Sequence, residues 1–530
     1  MVNETTPLLH DDGVPTVLPS VAAEAKPASD QVRIKEFVLI AIISCSGFLN
    51  RLLTQQQREQ IFTAQSTILM LPTIGSAYDV PIHRQHLITS LYNIASGSLI
   101  LLWARVADVY GSGLIFLVGS TLFTITSAGL PLSPNEGTLY MFRAFQGIGT
   151  AASLPSSIGI LAATFPAGKR RNYALVLYNS ISSLGAVLGN ITGGVIGGYS
   201  SWKWVFWSAA ILGAMVTLVA ARTIPWQGLA PKTSLRRLEK TSSVDWLGGA
   251  LVTASLTTLL VTISNGGSWT ELQSPLQLVV GLFMGYMFIR RQRKLEGNPM
   301  QPPLFKLSLL SIPGLSHALF TYACFVASFN AFLVYASLFY QQYLGLSVLE
   351  TTLRFIPSGL SCCLIALFVA PALSAVPGFH LLIGAIFASI ASALLFTVPI
   401  PPSTSYWLYG FPAMCLTMSV EILAPVLSLF VVKCLDQDNQ AIGGGLLQTS
   451  NNIGKAVGLA IAGSVQRLAE TTLASGCEDC EVGTLAAKSE GRVGDEVLLT
   501  GLRAAQGANI VFAVLALITV LVSLRALRTL

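Results

Sequence analysis

Trp103-Ala104-Arg105-Val106-Ala107-Asp108-Val109-Tyr110-Gly111, Arg143-Ala144-Phe145-Gln146-Gly147-Ile148-Gly149 and Gly185-Ala186-Val187-Leu188-Gly189-Asn190-Ile191-Thr192-Gly193-Gly194 are three runs within Leu101–Gly194 that decide the fold. The first closes an apolar run with a charge pair and a turn glycine. The second sets an arginine and a glutamine inside another apolar run. The third gives a helix a face with almost no side chain. A simple membrane anchor needs none of these.

Outward from this stretch, the chain is 530 residues long, 52% hydrophobic and only 11% charged. An ordinary soluble domain carries roughly 25% charged residues, so a soluble globular protein is excluded. Crossing a bilayer takes about 20 apolar residues, and runs of that length recur along the chain. The net charge of +6 is read through its distribution among loops, as a topology signal, and no nucleic-acid partner is expected.

Spans are expected near residues 87–104, 113–131, 138–163, 173–198, 203–222, 244–265, 275–290, 314–341, 351–373, 379–398, 405–432, 440–465 and 506–526. With a first span these make an all-α integral membrane protein of fourteen transmembrane helices. Cytosolic termini place Lys169, Arg170 and Arg171 inside, together with Arg222, Lys232, Arg236, Arg237 and Lys240, then Arg290, Arg291, Arg293, Lys294 and Lys306. The opposite short loops hold little beyond Arg84 and Lys203, as the positive-inside rule requires.

The first span is irregular. Phe37–Asn50 and Phe62–Ile74 are apolar, but the polar run 51–61 between them cannot sit cheaply in lipid. It reads as an insertion, with unspliced intron sequence as a source, that leaves the helical path; the alternative is a real extramembrane loop. Residues 1–32 are a polar, disordered cytosolic tail without a cleavable signal. Within it, Glu4-Thr5-Thr6-Pro7-Leu8-Leu9 has the form of an acidic dileucine sorting signal, against the alternative of an accidental Leu-Leu. A long non-cytosolic loop is expected at 466–505. Its Cys477-Glu478-Asp479-Cys480 reads as a disulfide or as two unconnected cysteines, since zinc wants four ligands and no further pair is near. No metal, cofactor or enzymatic centre is expected, because the five histidines lack ligand spacing and no GxxxxGK(S/T) loop is present.

Chemistry concentrates on two stripes. Arg143, Gln146, Thr150, Ser153 and Ser157 fall at i, i+3, i+7, i+10 and i+14, on one helix face. Such a stripe faces the bundle interior or a water-filled cavity. Hydroxyls that glue helices together explain Thr150 and Ser157 but not an arginine. In the second half Glu421 precedes Pro425 by four residues, so a kink is expected at the Glu421 carbonyl. Gln448, Asn452 and Lys455 form a second stripe on the next helix. Glu421 and Lys455 either neutralise each other or make the proton or substrate-charge site of that half.

These features resemble the major facilitator superfamily, and most of all its fourteen-span fungal drug:proton antiporter branch. The resemblance covers about residues 33–530. Arg105, Asp108 and Gly111 match the family's GxxxD(R/K)xG(R/K) loop, which implies a conformational latch; Ala104, Val109 and Ser112 depart from it. Gly185, Gly189, Asn190, Gly193 and Gly194 match the antiporter signature GxxxGPxxGG except that Asn190 replaces its proline. The arginine corresponding to Arg143 is implicated in proton coupling in the family. The branch's acidic residue near the end of span 1 is missing, where Thr63-Ala64-Gln65-Ser66 stands. The resemblance implies a six-span half over 33–222, a cytosolic linker with two extra spans over 223–305, and a second six-span half over 306–530. It implies proton-coupled export of small organic compounds by alternating access, by a monomer in the plasma or vacuolar membrane. The alternatives are a vacuolar carrier of basic amino acids or similar solutes, and a transporter-like receptor that moves no substrate.

Overall fold

The polar residues of this chain lie inside and many large apolar ones outside, and the helices follow from that inversion. Ser66, Ser96, Gln146, Gln466 and Asn509 are buried, while Ile125, Leu218, Phe283, Phe368, Trp407 and Leu408 stand exposed. A lipid-facing surface needs this arrangement, since hydrocarbon offers polar groups no partners. The computed structural model describes residues 59–164, 185, 188–223, 244–264, 273–296, 303–304, 306–312, 314–397, 404–435, 440–476 and 486–523. All of them belong to one compact unit, Leu49–Leu530. The tail with its dileucine run, the basic segments at 169–171 and 232–240, and Cys477–Cys480 lie outside the described residues.

The described residues form helices and no strand. In chain order they are α1 (59–77), α2 (Leu87–Tyr110), α3 (Ser112–Gly129), α4 (Glu136–Thr164), α5 (188–199), α6 (Lys203–Thr223), α7 (Trp246–Ser264) and α8 (Gln273–Glu296). Then follow α9 (Leu315–Leu338), α10 (Val348–Ala375), α11 (Gly378–Thr397), α12 (Tyr406–Thr417), α13 (Val420–Cys434), α14 (Gln440–Gly476) and α15 (Ala486–Val522). Among the described residues, nine helical stretches are long and apolar enough to cross a membrane. One group of helices packs α2 and α3 against α4, with α6 on α3; another packs α9 against α14 and α15. Helix α14 also packs on α2, and α7 touches both of these.

Local chemistry sets the boundaries. Gly111 ends α2 at φ 103°, a backbone angle suited to glycine, and its N–H donates to the Ala107 carbonyl at 2.9 Å. A single glycine therefore turns the chain from α2 into α3. Asp245 caps α7 through the Gly248 N–H at 2.9 Å. Its carboxylate also accepts from Arg291 Nε at 2.7 Å and Gln292 Nε2 at 2.8 Å, which ties α7 to α8. Ser347 and Glu350 close a capping box at the start of α10.

Three expectations are corrected. Residues 59–61, assigned to an insertion off the helical path, belong to α1, with Glu59 1% and Gln60 3% exposed. Their polarity is tolerated because they face the bundle interior, where Gln60 Nε2 donates to Ser153 Oγ at 2.6 Å; residues 51–58 lie outside the described residues. The interval 466–505 is not all loop, since α14 continues to Gly476 and α15 begins at Ala486. Polar helix persists there because every backbone group is satisfied within it whatever its side chains meet. Finally, the break in the span 405–432 falls at Met418 and Ser419 and not at Glu421. The Pro425 ring crowds the carbonyl four residues back. The turn before it tightens into i→i−3 bonds, Ser419 to Leu416 at 3.1 Å and Glu421 to Met418 at 3.0 Å.

Candidate functional site

Arg143 sits in the second turn of α4 with 1% of its surface exposed. Its Nε donates to the Ile88 carbonyl of α2 at 3.0 Å, and an Nη donates to Gln146 Oε1 at 2.7 Å. Gln146 Nε2 in turn donates to Ser127 Oγ of α3 at 2.7 Å. The guanidinium carbon lies 5.8 Å from the centre of the Tyr92 ring and 5.3 Å from that of Phe206, within cation–π range. Among the described residues it has no ion pair. An arginine at the centre of a bilayer costs at least about 2.5–3.5 kcal/mol; Arg143 lies nearer one end of α4, and here carbonyl, amide and ring faces offset its burial without a carboxylate.

The rest of the first stripe continues this chain of bonds. Thr150 Oγ1 lies 3.0 Å from the Tyr92 hydroxyl, and Ser153 accepts from Gln60 of α1. Ser157 stays local, donating to the Leu154 carbonyl at 2.7 Å. The structure thus brings Arg143, Gln146, Thr150 and Ser153 into one buried network spanning α1 to α4. Sequence periodicity missed its partners Gln60, Tyr92 and Ser127. Glu59, one residue before Gln60, is a buried carboxylate on α1, where the motif comparison found the first span's acid missing.

The second stripe is built differently. Asn452 is 5% exposed and its Nδ2 donates to Ser96 Oγ of α2 at 3.3 Å. Gln448 and Lys455 keep intermediate accessible surface. Lys455 lies deep among the helices and keeps only part of its surface accessible. It forms no ion pair or side-chain hydrogen bond among the described residues. The suggested Glu421–Lys455 neutralisation is therefore not formed. Glu421 lies in the first turn of α13, where its electrostatic neighbour is Tyr322 of α9, and the interruption at 418–419 sets that turn's direction.

The glycine face works through close approach. A Cβ on Gly189 would stand 2.7 Å from the Phe62 carbonyl oxygen, and one on Gly193 2.7 Å from Ser66 Cβ. Ser66 Oγ donates to the Gly189 carbonyl at 2.7 Å, so α1 and α5 meet backbone to backbone. Gly194 faces the other way, against the Thr352 side chain of α10. Gly185 is buried. Asn190 is 8% exposed and its Oδ1 has no hydrogen-bond partner among the described residues. At the α2–α3 turn, Arg105 and Asp108 do not close the expected charge pair: Asp108 is exposed and neither side chain forms an ion pair among the described residues. Val106 and Ala107 between them are buried against Ile115, Ala152 and Val244, which leaves Asp108 on the exposed side of this turn.

Further contacts join α1 and its neighbours to the second group of helices. Residues Phe339–Tyr343 leave α9 as a π-turn, with Leu344 N–H donating to the Phe339 carbonyl at 3.0 Å. From it, Gln341 Nε2 donates to the Leu69 carbonyl of α1 at 2.7 Å and Gln342 Nε2 to Gln85 Oε1 at 2.7 Å. Leu349 approaches Gly198 nearby. These contacts lie at one end of the bundle, the end where α1 finishes and α10 begins.

Membrane-crossing helices around a buried polar interior, with α14 packed on α2 between the two groups, define a multi-pass membrane carrier. The chain matches the Major Facilitator Superfamily model over residues 60–459, and it belongs to that family. It is 26% identical over 412 residues to the efflux pump terJ of Aspergillus terreus, covering 75% of this chain and 77% of the pump. The cephamycin export protein CmcT of Amycolatopsis lactamdurans is 28% identical, with 76% and 81% covered. The low affinity ammonium transporter of Saccharomyces cerevisiae is 25% identical, with 79% and 81% covered. In fold, the chain is similar to a peptide transporter POT crystal structure at a TM-score of 0.61, with 15% identity and 90% and 95% of the chains covered.

Proposed function

We propose that this transporter exports small organic compounds in exchange for protons, by rocking of a half over 33–222 against a half over 306–530. Residues 223–305 supply the linker helices. Both termini face the cytosol, and the monomer works in the plasma or vacuolar membrane. The relatives named for efflux and export support the direction. The observation that carries the mechanism is the contrast between a hydrogen-bonded Arg143 and the less connected groups of the second stripe. Fixed charge on one side leaves the Lys455 ammonium on the other to exchange protons or meet cargo. Arg105, Asp108 and Gly111 serve as the latch at the cytosolic turn. Gly194 and Gly198 of α5 let the halves meet at close range, against Thr352 and Leu349 of α10.

The test is transport in proteoliposomes with an imposed pH gradient and ethidium as probe. Accumulation should follow the gradient and collapse with a protonophore. Ethidium movement indifferent to the gradient would sink proton coupling. A relative named as an ammonium transporter favours a second reading, a carrier of small cationic solutes such as basic amino acids; arginine uptake into the same vesicles, with no ethidium transport, would establish it.

A further inference from the structure

A second cavity, of about 180 Å³, lies beside the π-turn and away from both stripes. Phe339, Leu344 and Leu346 line one side, Thr404, Tyr406 and Tyr409 another, and Arg354 is its one charged lining residue. We propose that this cavity is a binding site for a small aromatic carboxylate, held by the Arg354 guanidinium.

The guanidinium is clamped before any ligand arrives. Its carbon lies 5.0 Å from the centre of the Tyr340 ring and 5.3 Å from that of Tyr406. Tyr340 is fully buried and packs on Phe355 and Phe396. The Tyr406 hydroxyl donates to the Arg354 carbonyl at 2.8 Å. Each ring is thus fixed by other contacts, and together they fix the plane of the cation.

Ring faces satisfy charge but leave the in-plane N–H donors of an arginine unused. The nearby acid does not take them up. Glu350 is engaged one turn earlier, its Oε2 accepting from Ser347 N at 2.9 Å and Ser347 Oγ at 2.8 Å. Among the described residues the Arg354 side chain has no ion pair. An arginine fork held rigid beside an uncharged wall matches a carboxylate, which takes two parallel hydrogen bonds. The apolar wall suits an aromatic ring. An anionic lipid headgroup offers the same charge, so the source of the anion is part of the test.

The probe is 4-fluorobenzoate, followed by fluorine NMR line broadening with the full chain in phosphatidylcholine nanodiscs. Wild type should broaden the line, and unlabelled benzoate should reverse it. Losing charge-assisted hydrogen bonds should weaken binding about tenfold or more in Arg354→Gln. Arg354→Lys should fall between, because an ammonium keeps the charge and loses the fork. Thr404→Phe should also abolish broadening, since it fills the cavity without touching the charge. Equal broadening in wild type, Arg354→Gln and Thr404→Phe, or equal broadening by 4-fluorobenzyl alcohol, would overturn the proposal. Loss of the signal when phosphatidylglycerol replaces part of the phosphatidylcholine, in wild type, would assign the site to a lipid headgroup and overturn the soluble ligand.

Discussion

Two buried polar regions of this molecule obey opposite rules. Around Arg143, donors meet acceptors in sequence: Ile88, Gln146, Ser127, Tyr92 and Thr150 leave little for a ligand to add. Around Lys455, the ammonium lies deep among helices, keeps part of its surface accessible and has no ion pair among the described residues. The difference teaches where change can occur. A connected network resists rearrangement because every broken bond strands a buried group at about 1–3 kcal/mol. A cation without such bonds, near a path, can respond to a proton or to cargo at lower cost. In the proposed function the first region is the scaffold and the second the working surface.

The strongest way to break that comparison is Glu421→Gln. If the second region carries the coupled proton, pH-driven ethidium uptake should fall to background while substrate-for-substrate exchange survives; full driven transport in this variant would end the coupling role. Next in size is Arg143→Ala, which strands Gln146 and the Ile88 carbonyl. A loss of about 3 kcal/mol or more is expected, read as a much shorter half-life in detergent at fixed temperature. A wild-type half-life would mean the network is not structural. Smaller again is Gly194→Val, whose side chain meets Thr352. Overpacking of this kind costs about 1–3 kcal/mol. Transport should drop and recover in the double variant with Thr352→Gly, since Thr352→Ala would leave a Cβ 2.5 Å away; no recovery would place the defect elsewhere. The smallest effect sharpens the contrast most. Glu421→Gln and Lys455→Met should combine additively in stability, with a coupling below about 0.5 kcal/mol, because no ion pair joins them. A large coupling would show a pair closing in another state of the carrier.

The helical spans were legible in the sequence because apolar length and loop charge are local properties. Arg143 and Gln146 were legible for the same reason, as i and i+3 on one face. What periodicity could not give is the partner on another helix. Gln60 was read as foreign to the membrane because polarity was judged against lipid, whereas its neighbour is Ser153. Met418 and Ser419 interrupt a helix one turn before the glutamate whose carbonyl Pro425 crowds, since strain relaxes through the turn that gives most easily. Glu421 and Lys455 looked like a pair only because opposite charges on successive spans invite it; helix rotation decides, and sequence does not report it. The Gln506–Asn509 node on α15, where Asn509 Nδ2 donates to Gln506 Oε1 at 2.7 Å, was available as two amides three residues apart in an apolar run and was passed over.

The π-turn at Phe339–Tyr343 makes the joining of the two helix groups a question of chain length as much as of side-chain identity. An α-helix advances about 100° per residue, and a π-turn holds one residue more than the α-turn it replaces. Deleting a single codon within it would restore regular helix and turn the residues of that segment by up to this angle. Gln341 and Gln342 would then lose their alignment with Leu69 and Gln85, though no residue that makes those contacts had been exchanged for another. A one-residue indel at this turn would therefore change the contacts between the helix groups in a way that a substitution scan cannot sample.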